Sequence, residues 1–185
     1  KLNENNEIIT NKKEICNTFN NFFSNVGANL ANNLHKTHTN FNTFMPNHIN
    51  NTILLKQTTE HEIMNIIENL QNKNSSGYDQ MSPKLLKKCK KTLTPIITKA
   101  INMAITRQTY PDCLKIAKII PIFKDGDPTE TTNYRPISLL PTINKIFEKI
   151  LLKQILNHIE KNNILFCQQY GFRKYHNTID ALIST

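Results

Sequence analysis

Two cations, Lys124 and Arg135, are the residues of this sequence whose types and spacing best suit joint chemistry. They flank a turn-type run that begins DGD (residues 125–127), between two extended segments, KIAKIIPIF (residues 115–123) and NYRPISLL. If these segments pair as a hairpin, the two cations converge on one edge, with backbone N–H groups nearby. Lysine supplies a point charge and arginine a planar fork for phosphate oxygens, so the pattern suits a triphosphate or a nucleic-acid backbone.

A purely structural explanation of the same residues stays open. In that explanation Lys124 only flanks a turn, and Arg135 pairs with Asp127 or Glu130. The DGD run (residues 125–127) could also suggest a metal site, but an EF-hand loop needs further oxygen ligands and a terminal Glu at fixed offsets, which are absent. We therefore expect a turn with solvated acids at this point of the chain.

The excess positive charge lies in the second part of the chain. Of its 185 residues, 23 are Lys or Arg and 14 are Asp or Glu, which gives a net charge of +9. Residues 1–75 hold six Lys and six Glu, so residues 76–185, with 17 basic and 8 acidic residues, carry the whole excess. A concentrated basic region is typical of proteins that bind a polyanion. The alternative is a solvated, lysine-rich helix surface, above all for KLLKKCKK (residues 84–91).

Composition and motifs argue against several other classes of protein. No apolar run approaches the roughly 20 residues of a membrane span, and the start KLNENNEII has no apolar signal core. The four cysteines are far apart, so we expect free thiols in a reducing, intracellular compartment, nucleus or cytoplasm, rather than disulfides or a zinc site. The glycines form no Walker loop and no dinucleotide fingerprint. Three histidines without carboxylate or Cys neighbours are expected to be exposed: His35, His38 and His48.

Helical patterns dominate the first part of the chain. Apolar residues at helical spacing over residues 15–30 predict a first helix, followed by a polar, Asn-rich loop over residues 32–51. Thr59 followed by Glu62 is a capping-box pattern, which predicts the start of a second helix. The polar loop separates these two helices.

A third helix is predicted to start at Ser82-Pro83, with Ser as the cap and Pro in the first turn. We expect a break in this helix near Pro95, because proline lacks the N–H that an interior helical residue donates. The helix should end before Tyr110, since the residue before the following proline disfavours helical geometry.

The remaining elements alternate between extended and helical patterns. The hairpin is predicted to have its loop near residues 125–133, and a long amphipathic helix follows over residues 144–161, ending at Asn162. A last helix starts at Asn177 or Thr178. These elements together predict an α+β chain that is mostly helical, with a small β element near the middle.

Longer stretches of the sequence resemble one family. The run KIAKIIPIFKDGDPTETTNYRPISLLPTINKIFEKIL, followed by QQYGFRKYHNTIDAL, resembles the early part of the reverse transcriptase domain of non-LTR (LINE-type, jockey-like) retrotransposons. The resemblance continues upstream through NKNSSGYDQMSPKLLKKC, and FNNFFSNVGANLANNL is similar to the linker between endonuclease and polymerase in such elements. It covers nearly the whole chain, least characteristically at residues 35–58. YRPISLL and Q-x-x-GFR are its specific signals in combination.

The resemblance implies a fold and a domain organisation. It implies the fingers portion of a right-hand polymerase, α+β and mostly helical, with a small β-hairpin and with the palm missing. Residues 1–58 would form a helical linker upstream of the polymerase domain, with the polar loop, and residues 59–185 its truncated N-terminal, fingers part. We expect the chain to be a piece of a longer protein, because it begins with Lys1 and its last residues, IDALIST, lie inside a helical pattern.

The resemblance also implies roles for five residues. The family holds the triphosphate of the incoming nucleotide with a Lys and an Arg of its first hairpin, and these positions match Lys124 and Arg135. The GFR segment of the family lies against template and nucleotide, and it corresponds to Gly171, Phe172 and Arg173. These residues are the predicted contacts.

The activity implied for the parent protein is that of an RNA-directed DNA polymerase, with an RNA template, a DNA primer and a deoxynucleoside triphosphate as partners and no membrane. Polymerases of this class use two Mg²⁺ ions, held by carboxylates of an F-x-D motif and a later A-D-D motif. We expect this chain to end before either motif, and its five aspartates do not form such a constellation, so we expect the metal ligands outside it, no catalytic residue within it, and no activity of the isolated chain. Two alternatives stay open: a decayed or domesticated basic module that binds nucleic acid without catalysis, and a helical interaction protein.

Overall fold

The computed structural model describes residues 1–4, 7–34, 40, 52–165 and 168–183. Its helices are α1 (Lys12–Asn32), α2 (Glu60–Glu68), α3 (Pro83–Lys88), α4 (Lys90–Thr106), α5 (Asp112–Lys115), α6 (Thr142–Lys161) and α7 (Thr178–Ile183). Its strands are β1 (Leu2–Glu4), β2 (Glu7–Ile9), β3 (Lys118–Phe123) and β4 (Tyr134–Leu139), which pair as two antiparallel hairpins, β1–β2 and β3–β4. The assignment of this mostly helical arrangement to polymerase fingers stays a prediction.

Some of the predicted residues lie outside the described part of the chain. They are His35, His38, His48, Cys167 and most of the Asn-rich loop. The three described cysteines, Cys16, Cys89 and Cys113, are free and exposed. Within the described ranges, no helix is both long enough and apolar enough to cross a lipid bilayer.

Helix starts that were predicted from capping residues are confirmed. Thr59 caps α2 by accepting a hydrogen bond from the N–H of Glu62 at 3.2 Å, and Ser82 caps α3 in the same way. The carboxylate of Glu62 accepts instead from the Thr58 hydroxyl at 2.7 Å and from the Lys153 ammonium at 2.6 Å. Only the N-cap half of the predicted capping box therefore forms, because Glu62 links the start of α2 to α6.

One helix boundary contradicts the prediction. The break lies at Cys89, between α3 and α4, whereas Pro95 lies inside α4, so the predicted break near Pro95 is wrong. The N–H of Cys89 donates to the carbonyl of Leu85, and the carbonyl of Cys89 accepts from the N–H of Leu93 at 3.0 Å. Pro95 removes one helical hydrogen bond from the second turn. Helix α4 continues through it because its inner face is buried at Thr94, Ile97, Thr98 and Ile101.

The hydrophobic core lies between α2, α3, α4 and α6. Side chains of α2, α4 and α6 repeat at helical spacing and form one apolar stripe each, whereas α3 contributes Leu86 and the residue Leu70 follows α2. The buried residues of this cluster are Ile63, Ile67, Leu70, Leu86, Ile97, Ile101, Ala104, Ile146, Phe147 and Ile150. The apolar stripe predicted for α6 is buried at its N-terminal half, whereas Ile155 in its C-terminal half is 41% exposed.

A close backbone contact joins the β3–β4 hairpin to this core. A Cβ atom on Gly77 would lie 2.7 Å from the backbone nitrogen of Pro141, so only glycine allows the loop before α3 to approach the start of α6. The hydroxyl of Thr142 donates to the carbonyl of Met81 at 2.6 Å in the same place. The connection from β4 to α6, at Leu140 and Pro141, is therefore tightly packed against the loop that precedes α3.

Candidate functional site

Lys124 and Arg135 lie together on the β3–β4 hairpin. The antiparallel register pairs Ile122 with Arg135, and the N–H of Lys124 extends the pairing by donating to the carbonyl of Asn133 at 2.9 Å. Because side chains alternate between the two faces of a hairpin, Lys124, Ile122 and Arg135 share one face. Lys124, directly after β3, and Arg135 in β4 occupy diagonal positions of the extended ladder, which corresponds to about 7–8 Å between such residues. The structure therefore brings the two predicted cations onto one surface.

The opposite face of the hairpin packs against α1. The Phe19 ring meets the Tyr134 ring edge-on, with the centroids 4.9 Å apart, and Phe123 contacts the same tyrosine at 5.5 Å. Exposure alone does not separate the two faces, because Ile122 and Ile137 on the cation face are 45% and 47% exposed and Ile119 and Phe123 on the opposite face are 42% and 44% exposed. The packing of Phe19 on Tyr134 places α1 against the face opposite Lys124 and Arg135.

Hydrogen bonds define the turn between the strands. The carboxylate of Asp127 accepts from the N–H and the hydroxyl of Thr129, both at 2.8 Å, and these bonds, the N–H first, hold the pKa of Asp127 below its ordinary value. Asn133 donates to the carbonyl of Asp127, and the Tyr134 hydroxyl donates to the carbonyl of Pro128 at 2.7 Å. Gly126 has a φ of +87°, a conformation that favours glycine. The turn next to Lys124 is consequently well ordered by its own residues.

The N-terminal hairpin supports this turn from outside. The N–H of Asn3 in β1 donates to the carbonyl of Thr129 at 2.8 Å, and its side-chain amide donates to the carboxylate of Glu130 at 3.2 Å. Leu2 beside it is only 2% exposed. The sequence analysis did not predict this hairpin or its contact with the turn. A signal for the hairpin exists, because the polar run ENNE (residues 4–7) lies between the apolar residues Leu2 and Ile8 and favours a turn.

The structural explanation for the two cations holds only in part. Lys124 lies 3.7 Å from the carboxylate of Asp125, but both side chains are more than half exposed, so this pair is weak. Arg135 forms no ion pair within the described part of the chain. The two carboxylates that could have paired with it, Asp127 and Glu130, accept hydrogen bonds from Thr129 and Asn3 instead.

The GFR segment lies in the loop before α7. No atom lies within 4 Å of a Cβ built on Gly171, and Phe172 is fully exposed with a φ of +60°. Arg173 donates to the carbonyl of Gln169 at 3.4 Å, within the same loop. The structure thus shows Gly171 and Phe172 in solvent, and the predicted contact of this segment with template or nucleotide stays a prediction.

The described residues include no group of three or more His, Cys, Asp or Glu side chains that could hold a metal ion. Asp125 and Asp127 are separated by Gly126 in the turn, but Asp127 accepts from Thr129 and Asp125 lies beside Lys124. The donor set of this turn therefore does not fit a magnesium site.

Comparison of the amino-acid sequence with known proteins finds similarity to one group of proteins. The chain is 34% identical, over 122 residues or 65% of its length, to the "Probable RNA-directed DNA polymerase from transposon X-element" of Drosophila melanogaster. From the same organism, it is 31% identical to the "Probable RNA-directed DNA polymerase from transposon BS" and 30% identical to the "RNA-directed DNA polymerase from mobile element jockey", each over 69% of the chain. The chain is homologous to mobile-element RNA-directed DNA polymerases. No protein-family model matches it.

The homology confirms the predicted resemblance to non-LTR, jockey-like polymerases. The chain spans only 13% to 14% of the length of these relatives. The matched regions cover 65% to 69% of the chain and assign no role to single residues such as Lys124 and Arg135.

Proposed function

We propose that this chain is a segment of the RNA-directed DNA polymerase of a mobile element and that it contributes to binding of the template and the incoming nucleotide. Homology to three such polymerases supports the reaction class. The parent protein would copy an RNA template by extending a DNA primer with deoxynucleoside triphosphates. In this proposal the chain is the fingers portion of the enzyme and is inactive when isolated.

The shared, exposed face of Lys124 and Arg135 is the observation that carries the nucleotide role. A triphosphate needs several cationic donors at one place, and Lys124, directly after β3, and Arg135 in β4 supply a point charge beside a planar fork. The absence of an ion pair to Arg135 within the described residues leaves its donors available for phosphate oxygens. The role of the chain is then to bind and orient the triphosphate.

The ordered turn gives this binding its geometry. Because Asp127, Asn133 and Tyr134 hold the turn through hydrogen bonds, the backbone at Lys124 is positioned before any ligand arrives. Preorganisation of this kind lowers the entropy lost on binding. In this proposal the Mg²⁺ ions of the parent enzyme are held by carboxylates outside this chain, as the resemblance implies.

Replacing Arg135 by Ala in the polymerase that contains this chain tests the nucleotide role. Loss of a charged hydrogen bond costs about 1.5–3 kcal/mol, so we expect the KM for the nucleotide to rise about 10- to 100-fold with a smaller change in kcat. Steady-state primer extension at varied nucleotide concentration measures both. The expected result would confirm a contact with the nucleotide.

Lys118→Ala is the matched control for this experiment. Lys118 lies on the same face at the far end of β3, six residues or about 20 Å from Lys124 along an extended strand. Its removal lowers the charge of the face equally but should leave the nucleotide KM within about twofold, given screening over that distance. If Arg135→Ala instead weakens template binding and leaves the nucleotide KM unchanged, the arginine contacts a nucleic-acid backbone and the proposed role is wrong.

A further inference from the structure

Two carboxamide side chains hold the segment of residues 52–58 that precedes α2. Asn102 accepts from the N–H of Thr58 at 2.8 Å and donates to the carbonyl of the same residue at 2.9 Å. Gln154 bonds Lys56 in the same way, at 2.7 and 2.9 Å. In an antiparallel β-ladder, the N–H and the carbonyl of one residue both bond to the backbone of the neighbouring strand. Here the side-chain carboxamides of Asn102 and Gln154 supply that acceptor and that donor instead.

The opposite edge of this segment is unpaired. The chain has no turn or bend between residues 52 and 59, and in a straight chain successive residues direct their backbone groups to opposite edges. Leu55 and Gln57 therefore direct their backbone groups away from the two clamps. Within the described ranges, the N–H and carbonyl groups of both residues make no hydrogen bond. This edge presents two sets of backbone donors and acceptors, about 7 Å apart, for another strand.

The surroundings of this edge indicate which side chains a partner would carry. An apolar groove of about 490 Å³ borders the segment, and Leu54 and Leu55 are 82% and 41% exposed beside it. Its other walls include Ala104, Ile105, Tyr110, Phe147 and Leu151. Two cations, Lys99 and Arg107, lie around Gln57 at the other end of the segment, and Lys56 is within it.

We propose that the free edge of residues 55–57 binds an extended peptide segment of a partner protein, rich in apolar and acidic residues, which adds as a β-strand. Only another polypeptide backbone supplies donors and acceptors that alternate at strand spacing. Apolar side chains of the added strand would fill the groove, and acidic ones would complement Lys56, Lys99 and Arg107. A nucleic-acid strand could match these charges, but its phosphates offer no N–H donors for the carbonyls of Leu55 and Gln57.

A hexapeptide of alternating valine and glutamate, acetylated and amidated at its ends, is the first probe. Titrated into the ¹⁵N-labelled chain, it should bind with a Kd below about 1 mM, shift the amide resonances of Leu55 and Gln57 and slow their hydrogen exchange. No binding up to that concentration, or binding without protection of these two amides, would overturn the proposal.

Two N-methylated forms of the peptide provide the matched comparison. Methylation of all three valines blocks the N–H groups on one edge of the added strand, and methylation of all three glutamates blocks the other edge, with identical side chains. One form should bind like the parent peptide, whereas the other should bind at least about tenfold more weakly, having lost its hydrogen bonds. Equal binding of both forms would refute strand addition.

Leu55→Pro tests the same edge from the side of the protein. This substitution removes an N–H that has no partner, so binding should fall about tenfold while the melting temperature stays close to that of the wild type. If this variant does not fold, the two methylated peptides with the wild-type chain still decide the question. A single-stranded DNA decamer that causes the same shifts and displaces the peptide would assign the edge to nucleic acid instead.

Discussion

The helical core and the β3–β4 hairpin are held in place by different forces. In the core, Ile63 and Ile150 are completely buried, and apolar burial between four helices provides the stability. In the hairpin no residue of either strand is fully buried, and hydrogen bonds of Asp127, Asn133 and Tyr134 order the turn. We therefore expect that the candidate binding surface can be altered without loss of the core that carries it.

The largest effect is expected from truncating a core side chain. Ile63→Ala removes a fully buried side chain of α2 and should lower the free energy of unfolding by about 2–5 kcal/mol. Leu152→Ala, at a side chain of α6 that is 54% exposed, is the control and should change it by less than about 0.5 kcal/mol. Urea unfolding followed by circular dichroism measures both. Similar losses in the two variants would show that the core is not the main source of stability.

An intermediate effect, confined to the hairpin, is expected from Gly126→Ala. This residue has a φ of +87°, and a Cβ would lie 2.7 Å from the Asn133 side-chain nitrogen, so the turn should lose about 1–2 kcal/mol. Hydrogen exchange should accelerate at Lys124 while the amides of α2 and α6 keep their protection. The measurement is native-state hydrogen exchange by NMR.

Gly27→Ala in α1 is the matched control for this glycine substitution. No atom lies within 4 Å of a Cβ built on Gly27, and alanine favours a helix interior, so this change should stabilise α1 by about 0.5–1 kcal/mol. If Gly126→Ala accelerates exchange in the core helices as much as in the hairpin, the two regions unfold together and the contrast between them is wrong.

The smallest effect is expected from acid at the ion pair between Glu62 and Lys153. Hydrogen bonds from Lys153, and then from Thr58, hold the pKa of Glu62 below its ordinary value of 4.5. Because the folded-state pKa is lowered, the pair stabilises the folded state above pH 4.5, and this contribution is lost as the pH falls through the folded-state pKa. Lys153 is 75% exposed, so the contribution is at most about 1 kcal/mol.

Thermal melts of Glu62→Gln at several pH values measure this contribution. The variant should melt below the wild type at neutral pH, and the difference should shrink as the pH falls below 4.5. Lys153→Gln removes the other partner of the same ion pair and should show the same convergence. A difference that is independent of pH would mean that the substitution acts through packing rather than through charge.

Much of the fold could be predicted because its signals are local. Thr59 and Ser82 each cap a helix through a hydrogen bond to a residue three positions ahead, and such spacing is visible in the sequence. The β3–β4 hairpin could be predicted because two short segments with the pattern of extended strands, rather than of helices, lie on either side of a turn-type run. The placement of Lys124 and Arg135 on one face then follows from strand register alone.

Other features could not be predicted because they depend on distant residues. Pro95 is a strong local signal for a break, but burial of the inner face of α4 outweighs the lost hydrogen bond. The hydrogen bond between the Asn3 amide and the Glu130 carboxylate could not be predicted either. The two residues are 127 positions apart, and no residue near Asn3 in the sequence specifies Glu130 as its partner.

The sequence by itself determined the helix starts, the β3–β4 hairpin and the relation to mobile-element polymerases. The helix starts and the hairpin depend on residues a few positions apart, and the relation to the polymerases depends on continuous sequence motifs. Only the tertiary structure decided which surfaces stay open. Asn102 binds Thr58 from 44 residues away and Gln154 binds Lys56 from 98 residues away, whereas Leu55 and Gln57 on the opposite edge have no backbone partner in the described part of the chain. Such pairings depend on how packed helices place distant side chains, which no local pattern records.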